Sequence, residues 1–403
     1  MPDLDLLVVG AGPAGVAAAI TARGLGLSVE VVDRARFPRD KICGDGLTAG
    51  ALRILEHLGV PVPTLATSQA VDTVALRGPR GRVVTLPLPS DGLHSVVTTR
   101  RDLDDALVRR ARALGVTVHE GRTVTGVEID ADHVTVLHAA DEPDGADAST
   151  ARFVVAADGQ WSTVRRCVDP AGANDLGSWH AFRQYFSGVH DPRLWVLFEA
   201  DLLPGYAWVF PLPGGRANVG FGVLRGPATT GKVLAATWRD LLDRASLRGI
   251  LGPDASAEDR HRAWPIPADF DARRAAAGRV LFVGDAAGVV DPMTGEGIAQ
   301  ALESGVLAAR AVGAGGPVAA VAARYRDTLD RDLGRDLRFA ARLQRVLRSP
   351  ARTRAALALV DAAPWTRRNF ARWMFEDYPR ALVTTPDRWH RGAFTPPGSY
   401  RAS

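Results

Sequence analysis

The stretch Leu4-Asp-Leu-Leu-Val-Val-Gly10-Ala-Gly12-Pro-Ala-Gly15-Val16, continued by Val29-Glu-Val-Val-Asp33, decides the fold. It reads as strand, tight turn, helix, strand. Leu6 to Val9 form an apolar run bounded by glycine, the pattern of a buried parallel strand. Gly10, Gly12 and Gly15 supply G-x-G-x-x-G: the first permits the sharp turn, the second lets a pyrophosphate approach the backbone, and the third lets the helix pack closely on the strand. The helix, rich in Ala17, Ala18, Ala19 and Ala22, aims its N-terminus at those phosphates. Asp33 ends the second strand, where a carboxylate binds an adenosine ribose hydroxyl. A lone glycine motif can be a structural turn. With strand, helix and acid all in place, this one reads as a dinucleotide site.

Outward from that unit, 403 residues with 46% hydrophobic content leave room for two or three domains with real cores. Asp3 and Asp5 stand where a secretory signal would carry positive charge, and no apolar run of about 18 residues occurs. Cys43 and Cys167 are too distant for a metal knuckle, and the nine histidines show no ligand spacing. A cytoplasmic protein without a metal is expected. The net charge of +4 is uneven: Arg338 to Ser403 holds thirteen arginines against four acids, which leaves the preceding residues near −5. Such a basic end suits nucleic acid or an anionic membrane surface, and the inner face of a membrane is the preferred expectation.

After Asp33 comes a long loop, Arg34-Ala-Arg-Phe-Pro-Arg-Asp-Lys-Ile-Cys43-Gly44-Asp-Gly-Leu-Thr48, then a helix to Leu58. Lys-x-Cys-Gly-Asp-Gly is no economical connector and reads as functional, the rival being a surface loop with an incidental thiol. Val71 to Pro89 reads as a hairpin of a second sheet, and an amphipathic helix runs from Asp102 to Leu114. Strands follow at Val116 to His119, Val124 to Ile129 and Val134 to His138, with an exposed acidic loop from Asp141 to Thr150. Between Trp179 and Ala268 several antiparallel strands form a substrate domain. There Tyr206, Trp208 and Phe210 alternate, so their rings share one strand face, and Pro211 demotes this strand to an edge or mouth. Ordinary sheet core is the rival reading of the rings. Arg324 to Arg348 is a charged helix with a Leu333, Leu337, Ala340, Leu347 stripe. Beyond it Trp365, Phe370, Trp373, Met374 and Phe375 interleave with Arg367, Arg368 and Arg372, a mixture that suits either a bilayer interface or a packed helix.

Two further segments carry a resemblance. Asp158-Gly159-Gln-Trp-Ser162-Thr-Val-Arg165 and Arg279-Val-Leu-Phe-Val-Gly284-Asp285-Ala-Ala-Gly288 resemble the paired signatures of the FAD-dependent hydroxylase and reductase superfamily, of para-hydroxybenzoate hydroxylase type. Asp291-Pro292-Met-Thr-Gly295-Glu-Gly297-Ile298 resembles the turn before its flavin-facing helix. Tyr206-Ala-Trp208-Val-Phe210-Pro211, eight residues, then Gly220-Phe-Gly222 resembles the Y-x-W-x-F-P…G-x-G pattern of geranylgeranyl reductases, and Lys41-Ile-Cys43-Gly44 resembles the cysteine motif of that family. Together these cover about residues 4 to 330.

The resemblance implies an α/β fold: a Rossmann-like FAD-binding domain from residues 1–70, 95–175 and 273–330, an inserted antiparallel-sheet substrate domain from 71–94 and 176–272, and a helical basic segment from 331–403. It implies FAD held by Gly10, Gly12, Pro13, Ala14, Gly15, Asp33, Arg34, Cys43, Gly44, Arg101, Asp158, Gly284, Asp285, Pro292, Gly295, Gly297 and Ile298, with Asp285 on the ribityl chain. Substrate falls to Tyr206, Trp208, Phe210, Pro211, Gly220 and Gly222. The implied activity saturates isolated C=C bonds of a polyprenyl chain, in a prenyl diphosphate, a prenyl lipid or a menaquinone. Reduced flavin delivers hydride, with NAD(P)H or a reduced electron carrier as donor. Cys43 is the catalytic candidate, as proton donor or as pocket wall. A monomer without nucleic-acid partners is expected. The alternative is a flavin monooxygenase acting on a lipophilic substrate. A halogenase lacks its W-x-W-x-I-P signature here, and a non-catalytic prenyl carrier is a third possibility.

Overall fold

In the computed structural model, which describes residues 4–139, 148–169, 177–227, 229–375, 381, 384–389 and 397–401, strand Leu4–Val9 lies mid-sheet. It pairs in parallel with Val29–Asp33 and with Ala148–Ala156, and parallel strands Thr117–Glu120 and Val280–Phe282 extend the sheet on either side. Helices cover both faces of such a sheet, which is why Leu6, Leu7 and Val8 are all fully buried. Ala148–Thr150, expected in an exposed loop, instead open the long strand and pair antiparallel with Val134–His138, whose alternating Val134 and Val136 are buried. Residues 141–147 of that loop lie outside the described residues.

The second sheet runs in the order Ser256–Ala257, Trp179–Ser187, Arg216–Leu224, Tyr206–Leu212, Leu194–Leu197, Thr73–Arg77, Val83–Pro87, and Arg262–Ile266 also pairs with Trp179–Ser187. It is antiparallel except where Leu194–Leu197 meets Thr73–Arg77. Its strand Tyr206–Leu212 is interior, not an edge. Pro211 is tolerated because registered pairing with Leu194–Leu197 covers only Ala207 to Val209, so on that side the missing N–H interrupts no ladder. Helix Gly231–Asp243 covers one face of this sheet, with Trp238 stacked on Phe221 at 5.9 Å. The other face looks toward the dinucleotide domain.

Helix Ile298–Gly313 packs against Pro13–Gly24 so tightly that a Cβ on Gly305 would lie 2.1 Å from the Ala14 carbonyl oxygen. The charged helix begins earlier than its pattern indicates: Val318–Leu329 runs through a π turn, Asp330–Gly334, into Arg335–Leu347. Leu333, Leu337 and Ala340 bury the expected stripe. Helices Pro350–Val360 and Pro364–Phe375 follow. Among the described residues no helix is long and apolar enough to cross a membrane.

Because backbone rather than a flexible side chain blocks the space beside Gly305, Gly305→Ala must push the two helices apart. A loss of about 1–3 kcal/mol or more is expected, seen as a lower urea midpoint. An unchanged midpoint would show that this helix pair yields without cost.

Candidate active site

Between the two sheets and the C-terminal helices lies a cavity of about 810 Å3. At one end the glycine turn exposes bare backbone. A Cβ on Gly12 would meet nothing closer than Arg39 Nη2 at 3.8 Å and Arg100 Nη2 at 4.0 Å. A Cβ on Gly15, by contrast, would lie 1.8 Å from the Gly10 carbonyl oxygen, so Gly15 serves helix–strand packing and does not line the cavity. Pro13, Ala14, Asp33 and Arg34 do line it. Asp33 accepts the N–H of Ala11 at 2.7 Å through Oδ2 and that of Ala35 at 2.7 Å through Oδ1, and so pins the turn.

Arg101 is corrected by the structure. It is exposed, while Arg100, about 100° away round the helix, lines the cavity. Arg100 makes a bidentate bond to the fully buried Asp104 at 2.8 and 2.7 Å, and Arg39 pairs with the same carboxylate at 2.8 Å. Burial opposes the charge on Arg100, but Asp104 more than offsets this and holds its pKa above the usual range. The Arg100-to-Asp104 spacing of four residues on one helix was the available sequence signal.

Further along, Asp158 accepts the Val164 N–H at 3.1 Å through Oδ2, and its buried Oδ1 has no hydrogen-bond partner among the described residues. Burial raises its pKa. Asp285 lines the cavity beside Gly284 and pairs with Lys41 at 3.0 Å. In the turn that follows, Asp291 Oδ1 accepts the N–H groups of Met293 and Thr294, both at 2.8 Å. This presents Gly295, Gly297 and Ile298 to the cavity at the start of the helix. Pro292 faces away: its carbonyl takes a bond from Gln344 at 2.6 Å in a separate outer groove.

Tyr206, Trp208 and Phe210 all line the cavity, each ring 6.0 Å from the next. Gly222 lines it as well. Pro211 and Gly220 do not. Gly220 lies behind Trp208, where a Cβ would come within 2.3 Å of the indole, so it seats the ring. Cys43 and Gly44 cross the end of this strip, with Gly44 and Gly46 against the Phe210 ring. Burial pushes the Cys43 thiol above its ordinary pKa, so it stays protonated.

Sequence reasoning missed two groups. Phe370, Trp373 and Met374, considered for a bilayer interface, line the cavity together with Leu343, Leu347 and Leu357. The C-terminal helices therefore roof the site. Asp45, Tyr185 and Asn218 form a buried polar cluster beside Cys43. Each is an unremarkable polar letter in a loop or strand, and only the packing of the second sheet on the loop joins them.

A glycine turn, paired acids and a ring-lined cavity define a flavin-dependent α/β oxidoreductase. Residues 3–314 match the FAD binding domain family. The chain is 33% identical over 359 residues to menaquinone reductase of Mycolicibacterium smegmatis, covering 86% of this chain and 85% of that protein. It is 28% identical over 364 residues to digeranylgeranylglycerophospholipid reductase 2 of Methanopyrus kandleri, covering 85% and 86%. Among solved structures, a geranylgeranyl bacteriochlorophyll reductase-like protein of Thermoplasma acidophilum superposes with a TM-score of 0.79 at 23% identity, over 95% and 98% of the two chains. The chain belongs to the geranylgeranyl reductase-like family of FAD-dependent reductases.

The residues fit FAD. Bare Gly12 backbone between two guanidinium groups at a helix N-terminus suits a diphosphate, and the orphaned Asp158 Oδ1 leaves an acceptor for a ligand donor. Asp285→Ala is expected to purify without flavin, since hydrogen bonds to a charged group are each worth about 1.5–3 kcal/mol. Undiminished flavin absorbance in the variant would remove Asp285 from cofactor binding.

Proposed function

We propose that this protein saturates isolated C=C bonds in the polyprenyl chain of a membrane-borne lipid or quinone. The observation that carries this is the strip Tyr206, Trp208 and Phe210, which lines one wall of an apolar cavity that also reaches the glycine turn. A hydrocarbon chain with scattered double bonds lies well against a row of ring faces. The names of the relatives, menaquinone reductase and digeranylgeranylglycerophospholipid reductase, support the same substrate class.

FAD, reduced by NAD(P)H or a small electron carrier, supplies the hydride when bound. The chain's own residues do the rest. Arg39, Arg100 and the Gly12 backbone hold the diphosphate end. The ring strip orients the alkene, and the roof of Phe370, Trp373 and Leu357 keeps water out. Cys43 lines the cavity as a neutral thiol.

Anaerobic incubation of reduced enzyme with menaquinone or a geranylgeranylated lipid tests this, with a two-hydrogen mass gain as the expected product. Oxygen-dependent formation of a hydroxylated product instead would favour a monooxygenase.

The roof also supports membrane contact. Leu359 and Trp365 are 69% and 68% exposed on the two outermost helices, and exposed Arg345, Arg352 and Arg368 lie on the same segment. Apolar rings among arginines suit an anionic bilayer surface. Leu359→Glu with Trp365→Glu is expected to reduce co-sedimentation with anionic vesicles at low salt while leaving bound flavin unchanged. Equal co-sedimentation would assign these side chains another role.

A further inference from the structure

Beside Cys43 the cavity wall carries a fully buried acid to which the mechanism so far gives no role. Asp45 stands between Gly44 and Gly46 with φ 65°, a left-handed conformation that a non-glycine residue keeps only under local constraint. The second sheet supplies that constraint. The Tyr185 hydroxyl donates to Asp45 Oδ2 at 2.6 Å, and the Asn218 amide donates to the same oxygen at 2.8 Å. Asn218 Nδ2 also donates to the Cys43 carbonyl at 2.8 Å, and Trp208 Nε1 donates to Asn218 Oδ1 at 3.0 Å. The backbone N–H of Asp45 donates to the Cys43 sulfur. Asp45 Oδ1 is buried and has no hydrogen-bond partner among the described residues. With Oδ2 already accepting two bonds, a proton on this carboxyl belongs on Oδ1.

The geometry points to Asp45 as the acid that protonates the alkene, with Tyr185 and Asn218 as its positioning residues and Cys43 as a wall of the site. This rests on the reductase reading above. Saturating one C=C bond adds a hydride and a proton. The alkene π pair forms a new C–H bond with the Asp45 proton, and the O–H pair stays on the carboxylate. The second C–H bond would take the hydride that FAD, bound in its reduced form, would supply, so that one proton and one hydride account for the two hydrogens gained. A solvent proton restores the acid before the next turnover.

An isolated alkene is a weak base, so acid strength decides between the two candidate donors. Burial pushes Asp45 up to about 6, opposed by Tyr185, Arg183, Asn218 and Arg100, whereas burial drives the Cys43 thiol above its already high ordinary value. The carboxyl is the stronger acid by far. Groups facing it are Tyr185 and Arg183 from strand Trp179–Ser187, Arg216 from strand Arg216–Leu224, Arg100 from the helix Arg100–Ala113, and Cys43 in its own loop. Arg183 is itself engaged, 4.1 Å over the Tyr185 ring and 2.9 Å from Asp40. The neutral form required here is present below the raised pKa and is lost as pH rises through it. Hydrocarbon filling the cavity displaces water and moves that limb further up.

The test is anaerobic single-turnover oxidation of pre-reduced enzyme by menaquinone or geranylgeranylated lipid across pH, beside infrared titration of the flavin-loaded protein. The wild-type rate should fall as pH rises through the Asp45 pKa. Asp45→Asn should slow it by roughly 10²–10⁴-fold and erase the limb with the flavin spectrum unchanged. Tyr185→Phe removes a bond that favours the charged form, so the limb and the carboxylic-acid infrared band should both move to higher pH. Cys43→Ser should leave the limb in place. A wild-type rate and limb in Asp45→Asn overturn the assignment. If Asp45→Asn does not fold, an unmoved limb and infrared midpoint in Tyr185→Phe overturn it equally. A wild type that leaves every polyprenyl substrate unreduced brings down the reductase reading and this assignment together, whereas an active wild type matched by Asp45→Asn brings down the acid alone.

Discussion

Asn218 is fully buried, and its amide makes three hydrogen bonds: two join the halves of the molecule, to the Cys43 carbonyl and to Asp45 Oδ2, and the third, from the Trp208 indole, lies within its own sheet. Each bond adds only about 0.5–1.5 kcal/mol net, but a buried polar group left unpaired costs about 1–3 kcal/mol. Partial loosening is therefore the unfavourable state, and the network holds as a unit. Through it the middle ring of the aromatic strip is fixed relative to the loop that leaves the nucleotide-binding strand. The position of the cavity-facing rings and the position of Cys43 are one geometric fact.

Charge is laid out along the same cavity with a clear polarity. Arg39 and Arg100 share one fully buried carboxylate, Asp104, so the pair keeps a net positive charge beside the bare Gly12 backbone. Lys41 is matched by Asp285 at 3.0 Å and adds no net charge. Around the strip of Tyr206, Trp208 and Phe210 and beneath Leu357, Phe370 and Trp373 the wall is mainly ring and aliphatic side chain, with Asp45 set in it beside Cys43. A ligand with an anionic end and an apolar end has one favourable orientation there, because charge buried without a partner is expensive.

How much of this the sequence disclosed follows from the range of the interactions. Local patterns were legible: the glycine turn with Asp33, the Asp158 and Asp285 segments, and the alternation that puts Tyr206, Trp208 and Phe210 on one face. Errors arose where one residue of register or one neighbouring strand decides the outcome. Arg100 and Arg101 are equivalent letters until the helix start, with Thr99 capping the Asp102 N–H, fixes which one turns inward. Pro211 reads as an edge marker until the short partner strand is seen to stop before it. The cluster of Asp45, Tyr185 and Asn218 spans 173 residues of sequence, and no periodicity connects its members. The aromatic residues near the C-terminus carry a composition that suits a bilayer and a cavity roof alike; packing against Leu357 and the hairpin Thr73–Pro87 decides for the roof.

That roof bears on how an apolar substrate could reach the site at all. Moving a hydrocarbon chain from a bilayer into an apolar cavity gains little, since both environments exclude water. Passing it through water on the way costs roughly 4 kcal/mol for each five-carbon unit, at about 0.8 kcal/mol per carbon. For a chain of several such units the aqueous route is closed by energy alone, whatever the affinity at the end of it. The route that avoids the cost is one in which the cavity mouth touches the bilayer. The helices that carry Leu357, Phe370 and Trp373 inward carry Leu359 and Trp365 outward. The same short segment thus roofs the cavity and carries an apolar, arginine-flanked outer edge, the side on which the membrane contact proposed above would fall.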